Sequence, residues 1–391
     1  MSLPGPLAGV TIVDLTRVLA GPYATLLLAD LGARVIKVER PGGGDDARRI
    51  GPFVAGRSAY FESVNRGKES IALDLRDTAD REVFERLLGR ADVLVENFRP
   101  GVLARLGYGW ETLHARFPRL VLAATSGFGQ TGPYAQRPAY DLVVQALGGL
   151  MSVTGQPGGP PTRVGTSIGD LAAGLFTALG VAAALLHRER TGEAIQVDVA
   201  MLDCQVALLE NALARLLATG ETPGPLGARH PSITPFDAFR TADGHVVIAA
   251  GHDALFATAC EVLGRAELAR DPRFATNELR TRHEAALKAE LERALGREPT
   301  QAWLAKLAAA GIPCAPIQNV AEVLADPQVA ARNMIVELEE HGDPSSEAAA
   351  GATRLRTAGN PIKLSGFPDP SLRAAAPVLD ADSPRIRREL G

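Results

Sequence analysis

Hydrophobic and polar positions along the first third of the chain repeat in the order strand, helix, strand. The β-branched run VTIVDL from Val10 precedes GPYATLLLADLG, whose apolar residues recur at helical spacing, and a second β-branched run, ARVIKVE from Ala33, follows. Pro22 fits the first turn of this helix and Gly32 its end. Three more strand-like runs are SIALDL from Ser70, ADVLVENF from Ala91 and LVLAATS from Leu120. Strands that alternate with helices predict an α/β fold with a parallel sheet.

The pattern changes in the second half of the chain. We predict a long apolar helix from about Asp170 to His187, and a second helix that VDVAML opens and that ends near Leu217. The next segment, ATGETPGPLGARHPSITP, is rich in Gly and Pro and is typical of a linker. After it, FDAFRTADGHVVIAAG predicts a hairpin with its turn at Asp243 and Gly244. The change indicates a second domain, as the length of 391 residues also does.

The amino-acid composition and net charge argue against several classes of function. Apolar residues make up 46% of the chain and charged residues 22%, as in ordinary globular proteins, and the net charge of -4 gives no field that would attract nucleic acid. No run reaches the ~20 apolar residues of a membrane span, and the longest, DLAAGLFTALGVAAALL, predicts a buried helix. The start of the sequence has no signal-peptide pattern, and three widely spaced cysteines suit a reducing compartment, so we expect a cytoplasmic protein.

Two motif matches lack the context that their chemistry needs. GFGQTG, from Gly127, follows a predicted strand, but Pro133 and a polar loop stand where a dinucleotide site needs a helix. GTSIG, from Gly165, matches the nucleophile elbow of hydrolases, but GGPPTRV precedes it in place of an apolar strand. A serine hydrolase with Ser167 remains an alternative. No metal-binding pattern and no phosphate-binding P-loop occurs, so we expect neither a metal nor ATP-driven chemistry.

Several ordered blocks of the sequence resemble the class III (family III) CoA-transferases, the family that also contains formyl-CoA transferase and α-methylacyl-CoA racemase. The blocks are VTIVDLTRVLAGPYATLLLADLGARVIKVERPGGGDDAR, NRGKESIALDLR, ADVLVENFRPGVLARLG, SGFGQTGPYAQRPAYD, VGTSIGDL and RTGEAIQVDVAMLD. The resemblance covers nearly the whole chain. It implies an enzyme that moves CoA from an acyl-CoA donor to a carboxylic-acid acceptor, with acyl-CoA as substrate and no tightly bound cofactor. The donor and the acceptor are not specified.

The resemblance also implies an architecture. Residues 1–220 form most of a Rossmann-like large domain, residues 225–325 a smaller α+β domain, and residues 330–391 a segment that returns to the large domain. Family members form homodimers whose chains interlock, and we expect the same here.

Asp170 is the predicted nucleophile. Exchange of CoA between two acids is nearly thermoneutral, so it needs only an ionised carboxylate that can attack the thioester and backbone N–H groups that hold the oxyanion. Asp170 follows Gly169, which would let backbone and substrate approach closely, and it opens the long helix, whose N-terminus favours a carboxylate. The residues alone fit a simple helix cap equally well. The resemblance assigns the aspartate of this block as the nucleophile.

Tyr140 separates transfer from racemisation. Racemases of the family carry a histidine base at this position, and a phenol is no base near neutral pH. Tyr140 therefore favours transfer, with packing in the cleft wall as its other interpretation. A second racemase base corresponds to Asp253, so an acyl-CoA racemase or epimerase remains an alternative. The third alternative is a CoA-binding protein that is non-catalytic or hydrolyses acyl-CoA.

The CoA site follows from positions matched to the family. Arginines pair phosphate oxygens through their fork of donors, although a lone surface arginine is usually only solvated. The matched residues are Arg40 and Arg105 for the phosphates, Leu73 and Arg76 for the adenine side, Asn97 and Phe98 for the pantetheine path, and Val18 for the thiol end.

One departure from the family concerns the acyl pocket. Some members carry a tetraglycine loop over the nucleophile, whereas this chain has GARHPSITPFDAF in that region. We therefore expect Arg229 and His230 to line the pocket, with Arg229 pairing a second substrate carboxylate. The missing loop argues against oxalate or formate as a substrate.

Overall fold

The computed structural model describes residues 4–339 and 354–391. The strands are β1 (Thr11–Asp14), β2 (Arg34–Glu39), β3 (Phe53–Val54), β4 (Arg57–Ser58), β5 (Glu69–Ala72), β6 (Val93–Glu96), β7 (Val121–Ser126), β8 (Gln196–Ala200), β9 (Phe236–Arg240), β10 (His245–Ala249), β11 (Cys314–Pro316), β12 (Ile335–Leu338), β13 (Arg356–Ala358) and β14 (Leu372–Arg373).

The α-helices are α1 (Ala20–Asp30), α2 (Ala59–Asn65), α3 (Thr78–Leu88), α4 (Val102–Arg105), α5 (Trp110–Arg116), α6 (Asp141–Leu147), α7 (Leu150–Val153), α8 (Ile168–Thr191), α9 (Met201–Leu208), α10 (Glu210–Thr219), α11 (Asp253–Val262), α12 (Asn277–Arg282), α13 (Glu284–Leu295), α14 (Thr300–Ala309), α15 (Val320–Ala325), α16 (Pro327–Ala331) and α17 (Ser383–Leu390). Two 3₁₀ helices span Asp46–Arg49 and Ala266–Arg270.

The chain forms two compact units. The large unit consists of the described residues within 1–151, 163–221 and 327–391, and the small unit of residues 152–162 and 222–326. The small unit thus takes in the short segment 152–162, which begins within α7 and ends before α8.

A six-stranded parallel sheet organises the large unit. Its strand order is β5-β2-β1-β6-β7-β8, and every neighbouring pair is parallel. Counted along the sheet, this is the 3-2-1-4-5-6 order of doubly wound folds, in which the order reverses beside the first strand. The predicted α/β class with a parallel sheet is confirmed. The reversal lies between β1 and β6, where loops at the carboxyl ends of the two strands leave a crevice.

Both faces of the sheet are buried. Ile12 and Val93 belong to a cluster that includes Val181 and Leu185 of α8, while Val13 and Leu94 belong to a second cluster with the side chains of α3 and α17. Adjacent strand residues point to opposite faces, so strands covered by helices on both sides are apolar throughout. This explains why the sequence pattern identified them readily.

Two predictions about the second half of the large unit need correction. VDVAML does not open a helix: it supplies the edge strand β8, which pairs with β7 from Gln196 to Ala200, and α9 starts only at Met201. The long helix α8 extends beyond both predicted ends. It is also only partly buried, because Leu175, Leu179 and Leu186 are exposed.

Helix α8 has the length and composition of a membrane-crossing helix. It is the one helix among the described residues that meets this criterion, and core helices of soluble proteins meet it as well. In this structure α8 packs against α1, α9 and the sheet.

The small unit has a sheet of its own. Strands β9 and β10 form the predicted hairpin, and β11 pairs antiparallel with β10. Its core gathers Phe239, Val246, Phe256 and Trp303, among others, from the strands and from α11 and α14.

Candidate active site

A cavity of about 250 Å³ lies at the carboxyl edge of the large sheet, where the strand order reverses. Its walls come from the loops after β1 and β6, the end of β7, the segment before α6 and the first turn of α8. This is where a doubly wound sheet binds its ligand. Five residues singled out from the sequence line this cavity: Val18, Asn97, Phe98, Tyr140 and Asp170.

Asp170 is the third residue of α8, not its cap. The helix begins at Ile168 after Ser167, and no side chain caps it. Among the described residues, none forms a hydrogen bond with the Asp170 carboxylate or with its backbone N–H. The interpretation of Asp170 as a simple helix cap is therefore wrong. Instead, the Asp170 carboxylate and the Asp170 backbone N–H, a free donor in the first turn of the helix, both lie beside the cavity.

The pKa of Asp170 is raised from 3.8 to about 7, chiefly because burial removes water from the carboxylate and secondly because the charge of Asp141 lies near it. The expectation of a fully ionised nucleophile at neutral pH needs correction on this point. A desolvated carboxylate is also a stronger base, and hence a better nucleophile once it is ionised.

Asp141 was not singled out from the sequence, and it organises the first turn of α8. Its buried carboxylate accepts hydrogen bonds from the Gly169 N–H at 2.8 Å and from Gln145 Nε2 at 2.7 Å. The Gly169 N–H is therefore occupied and cannot hold a substrate oxyanion. Tyr140, one residue earlier, is 77% exposed, so packing in the wall does not account for it.

Gly169 lies where α8 packs closely against α6 and α9. A Cβ atom at this position would lie 2.8 Å from Val144 Cγ2 and 3.0 Å from Asp141 Oδ1 and from Gln205 Nε2. The glycine thus allows α8 to pack against α6 and α9. This packing places Asp170 at the cavity.

The residues at the rim of the cavity hold its loops in place. Asn97 exchanges two hydrogen bonds of 2.8 Å with the backbone of Arg17, so its amide is engaged by the loop after β1. The Arg17 guanidinium lies over the Phe98 ring, 5.4 Å from its centroid. Val18 has a φ of 67°, a left-handed conformation that is unusual for a β-branched residue.

The residues predicted to bind the nucleotide end of CoA lie outside this cavity. Arg40 donates to Asp46 at 2.6 Å, and Asp46 lines the cavity. Arg76 is highly exposed and pairs with Asp74, and Arg105 is exposed at the end of α4. Leu73 is buried within the core, which leaves its side chain little surface for the predicted adenine contact.

The residues predicted for the acyl pocket belong to the small unit. Arg229 Nε lies 3.9 Å from Glu284 Oε2, and His230 Nδ1 accepts a hydrogen bond of 3.1 Å from the Ser232 N–H. Their role toward a substrate stays a prediction. Asp253, which corresponds to the second racemase base, accepts a hydrogen bond of 2.8 Å from Arg280.

The motifs discounted from the sequence lack the required structure as well. No helix follows GFGQTG until α6, and no strand lies between β7 and GTSIG. Within residues 4–339 and 354–391, no three acidic, His or Cys side chains form a group that could hold a metal ion.

In a doubly wound sheet the ligand crevice lies where the strand order reverses, and in this protein that crevice holds the unpaired carboxylate of Asp170. Residues 7–383 match the model of CoA-transferase family III, and the chain belongs to this family. The resemblance stated from the sequence is confirmed, as is the assignment to the CoA-transferases.

The chain is similar to named relatives over nearly its full length. It is 49% identical to the acetyl-CoA:oxalate CoA-transferase of Acetobacter aceti over 386 residues, which cover 98% of this chain and 96% of that one. It is 42% identical to the succinyl-CoA:mesaconate CoA-transferase of Haloarcula hispanica, covering 99% and 97%. The crystal structure of a CaiB/BaiF family protein from Brucella suis matches with a TM-score of 0.85 and 40% identity, covering 99% of this chain and all of that one.

Proposed function

We propose that the protein transfers CoA from an acyl-CoA to a carboxylic acid through covalent intermediates on Asp170. The observation that carries this proposal is the Asp170 carboxylate: it lines the cavity, has no hydrogen-bond partner among the described residues and carries a raised pKa. A carboxylate left unpaired and desolvated is available as a nucleophile.

The reaction proceeds in two symmetrical halves. An Asp170 oxygen attacks the thioester carbon, the C–S bond breaks, and CoA thiolate leaves a mixed anhydride. The thiolate then attacks the Asp170 acyl carbon, and the donor acid departs with the bridging oxygen, leaving an aspartyl-CoA thioester. The acceptor carboxylate attacks that carbon and expels the thiolate, which finally attacks the acceptor acyl carbon and releases Asp170 as a carboxylate. We propose the Asp170 N–H at the start of α8 as the donor that stabilises the oxyanions, because it has no partner among the described residues.

This scheme predicts the path of an oxygen atom. One carboxylate oxygen of the acceptor remains on Asp170 after each turnover and leaves with the donor acid of a later turnover, the one in which that oxygen attacks. With an ¹⁸O-labelled acceptor in unlabelled water, the released donor acid therefore acquires the label. Hydrolysis of acyl-CoA would instead introduce solvent oxygen, and a release of unlabelled acid would exclude the scheme.

Trapping identifies the residue that carries the intermediate. Hydroxylamine or borohydride added during turnover should modify Asp170, as detected by peptide mass spectrometry. Asp170→Asn should abolish both the adduct and the transfer, whereas Ser167→Ala should leave both intact. An adduct on Ser167, or full turnover by Asp170→Asn, contradicts the proposal.

Racemisation is the second candidate because the family contains racemases. Tyr140 at the first base position and the Asp253–Arg280 ion pair at the second support transfer over racemisation. The two reactions separate in deuterium oxide: a racemase introduces deuterium at the α-carbon without an acceptor acid, and a transferase does not.

We propose a dicarboxylic acid as one of the two acids. The relatives named above act, by their names, on oxalate, succinate and mesaconate. The 49% identity to the oxalate enzyme supports oxalate as a candidate, against the expectation drawn from the missing tetraglycine run. If Arg229 pairs the second carboxylate, Arg229→Ala will lower kcat/KM for dicarboxylates and leave that for monocarboxylates unchanged; an equal effect on both excludes this role.

We propose further that the protein is a cytoplasmic homodimer with interlocked chains, as the family resemblance implies. The exposed leucines of α8, Leu175, Leu179 and Leu186, support a subunit contact, because a large apolar surface of this kind is commonly covered by a partner. Light scattering should give twice the mass of 41.1 kDa. A monomeric mass at micromolar concentration would exclude a stable dimer.

A further inference from the structure

Side chains of β1 and of more distant segments bind the backbone of the loop after β1. The Thr16 N–H donates to Asp14 Oδ1 at 2.8 Å, and the Thr16 carbonyl accepts from Lys37 Nζ at 2.7 Å. Both polar groups of the Arg17 backbone bind the amide of Asn97 at 2.8 Å. A loop at the surface of a protein usually leaves such groups to water. Here side chains replace the water and fix the loop in one conformation.

The next backbone group is held by Asp45. The Val18 N–H donates to Asp45 Oδ1 at 3.0 Å, and this same oxygen accepts from the Ala47 N–H at 2.9 Å. The other oxygen, Asp45 Oδ2, lies 2.9 Å from Lys37 Nζ, and both side chains of this ion pair are at most 1% exposed. Lys37 therefore holds the loop twice, directly at Thr16 and through Asp45 at Val18.

Val18 connects these hydrogen bonds to the cavity. Its left-handed backbone is unfavourable for a β-branched side chain and persists only where surrounding contacts impose it. Val18 lines the cavity together with Asp170, whereas neither Lys37 nor Asp45 does. The buried pair thus acts on the cavity through the loop after β1 and through Asp46, which follows Asp45 and also lines the cavity.

We propose that Asp45 and Lys37 are positioning residues: Asp45, held by Lys37, fixes Val18 in its left-handed conformation and so forms in advance the wall of the cavity that receives the thiol end of the acyl-CoA beside Asp170. This inference rests on the proposed function, because it requires that the acyl-CoA bind in this cavity. A substrate placed by a wall formed in advance reaches the nucleophile in a reactive orientation.

The test compares two double variants that differ only in the residue at position 45. Lys37→Met/Asp45→Asn and Lys37→Met/Asp45→Ala both lack the buried charges, but only the first keeps an oxygen that can accept the Val18 N–H. We expect kcat/KM for acyl-CoA to be lower in the alanine variant than in the asparagine variant by about 100-fold, the effect of a small misplacement in an active site. Activity is counted per folded molecule. Equal kcat/KM in the two variants overturns the proposal.

A second measurement isolates the backbone strain. Glycine adopts a φ of 67° without penalty, so Val18→Gly should make the acceptor at position 45 less important. We expect the difference between the two double variants to shrink to about tenfold or less when both also carry Val18→Gly. An unchanged difference overturns the role assigned to Val18.

A matched control separates positioning from stability. Arg188 is equally a buried cation that binds backbone carbonyls, those of Asp92 and Arg119, at the opposite edge of the sheet. Arg188→Met should lower the melting temperature and leave KM for acyl-CoA within about threefold of the unmodified value. A KM shift as large as that of the Asp45→Ala double variant would mean that any buried cation affects the site, and would contradict a positioning role.

The wild-type protein distinguishes a failure of this inference from a failure of the proposed function. If trapping finds no adduct on Asp170, the proposed function fails, whatever the variants do. If the adduct forms and the two double variants have equal kcat/KM, the positioning role alone fails.

Discussion

Asp170→Asn should make the protein more stable at alkaline pH while it removes the activity. Folding raises the pKa of the Asp170 carboxyl from 3.8 to about 7, so between these two values the folded state binds a proton that the unfolded state has released. The stability of the wild type therefore falls as the pH rises from about 4 to about 7 and stays at its lower level above that. Asparagine has nearly the same shape and does not titrate.

The raised pKa corresponds to about 4 kcal/mol if taken at face value. Asp170 lines an open cavity, and water there screens part of the charge, so we expect about half of this, ~2 kcal/mol in favour of Asp170→Asn at pH 8. The gain should be clearly smaller at about pH 5, where the wild-type carboxyl is protonated in the folded state.

Urea unfolding of both proteins at about pH 5 and pH 8 measures this difference directly. Asp203→Asn, an exposed acid in the first turn of α9, controls for the loss of one negative charge. Asp170→Asn should not raise the free energy of unfolding by the same amount at both pH values, and it should not be less stable than the wild type at pH 8. Either of these results would refute the argument that the charged Asp170 carboxylate destabilises the folded protein.

Three further predictions concern the same site. The kcat/KM of the wild type should rise with pH around a midpoint near 7, the pKa of Asp170. Asp141→Asn should lower this midpoint, because it removes the negative charge that helps to raise the pKa of Asp170. A flat pH profile or an upward shift of the midpoint contradicts this prediction. Gly169→Ala should destabilise the protein by about 1–3 kcal/mol in thermal or urea unfolding and lower kcat, since its Cβ would meet Val144, Asp141 and Gln205; a variant of unchanged stability and activity would show that the contact relaxes. Arg40→Ala and Arg105→Ala should each raise KM for acyl-CoA about tenfold without changing KM for the acceptor acid, and equal changes in both constants would exclude phosphate binding.

The sheet could be predicted from the sequence because its strands are buried on both faces. β1, β2, β6 and β7 are short runs of β-branched and aliphatic residues, and helices with clear starts and stops separate them. The prediction was wrong at VDVAML, which we expected to open a helix and whose first four residues belong to β8. A short apolar run at the sheet edge next to a helix has the same composition in either conformation, and only its pairing with β7 decides.

The candidate site was predictable only in part. The blocks that carry the family resemblance include Val18, Asn97, Phe98, Tyr140 and Asp170, and the structure gathers these five around one cavity. Contacts between residues that are far apart along the chain could not be predicted from the sequence.

Asp141 is one such case. Its carboxylate accepts a hydrogen bond from the N–H of Gly169, 28 positions later, and no local sequence pattern predicts this bond. The only local signal was an acid in the first turn of α6. The left-handed Val18 is another case, because composition favours extended backbone at a valine, and the groups that impose its conformation come from other segments.

The segment near residue 380 has a consequence for how the molecule is made. Asp382 and Asp380 accept the N–H groups of Ser70 and Ala72 at 2.9 and 2.8 Å, so they close the outer edge of strand β5, and α17 inserts Ile386 and Leu390 into the core. During synthesis, β5 leaves the ribosome some 310 residues before the side chains that protect it. Throughout that interval the strand exposes an unpaired edge, which other strands can join. Any change that shortens this segment should therefore appear first as aggregation during expression, before it appears in turnover.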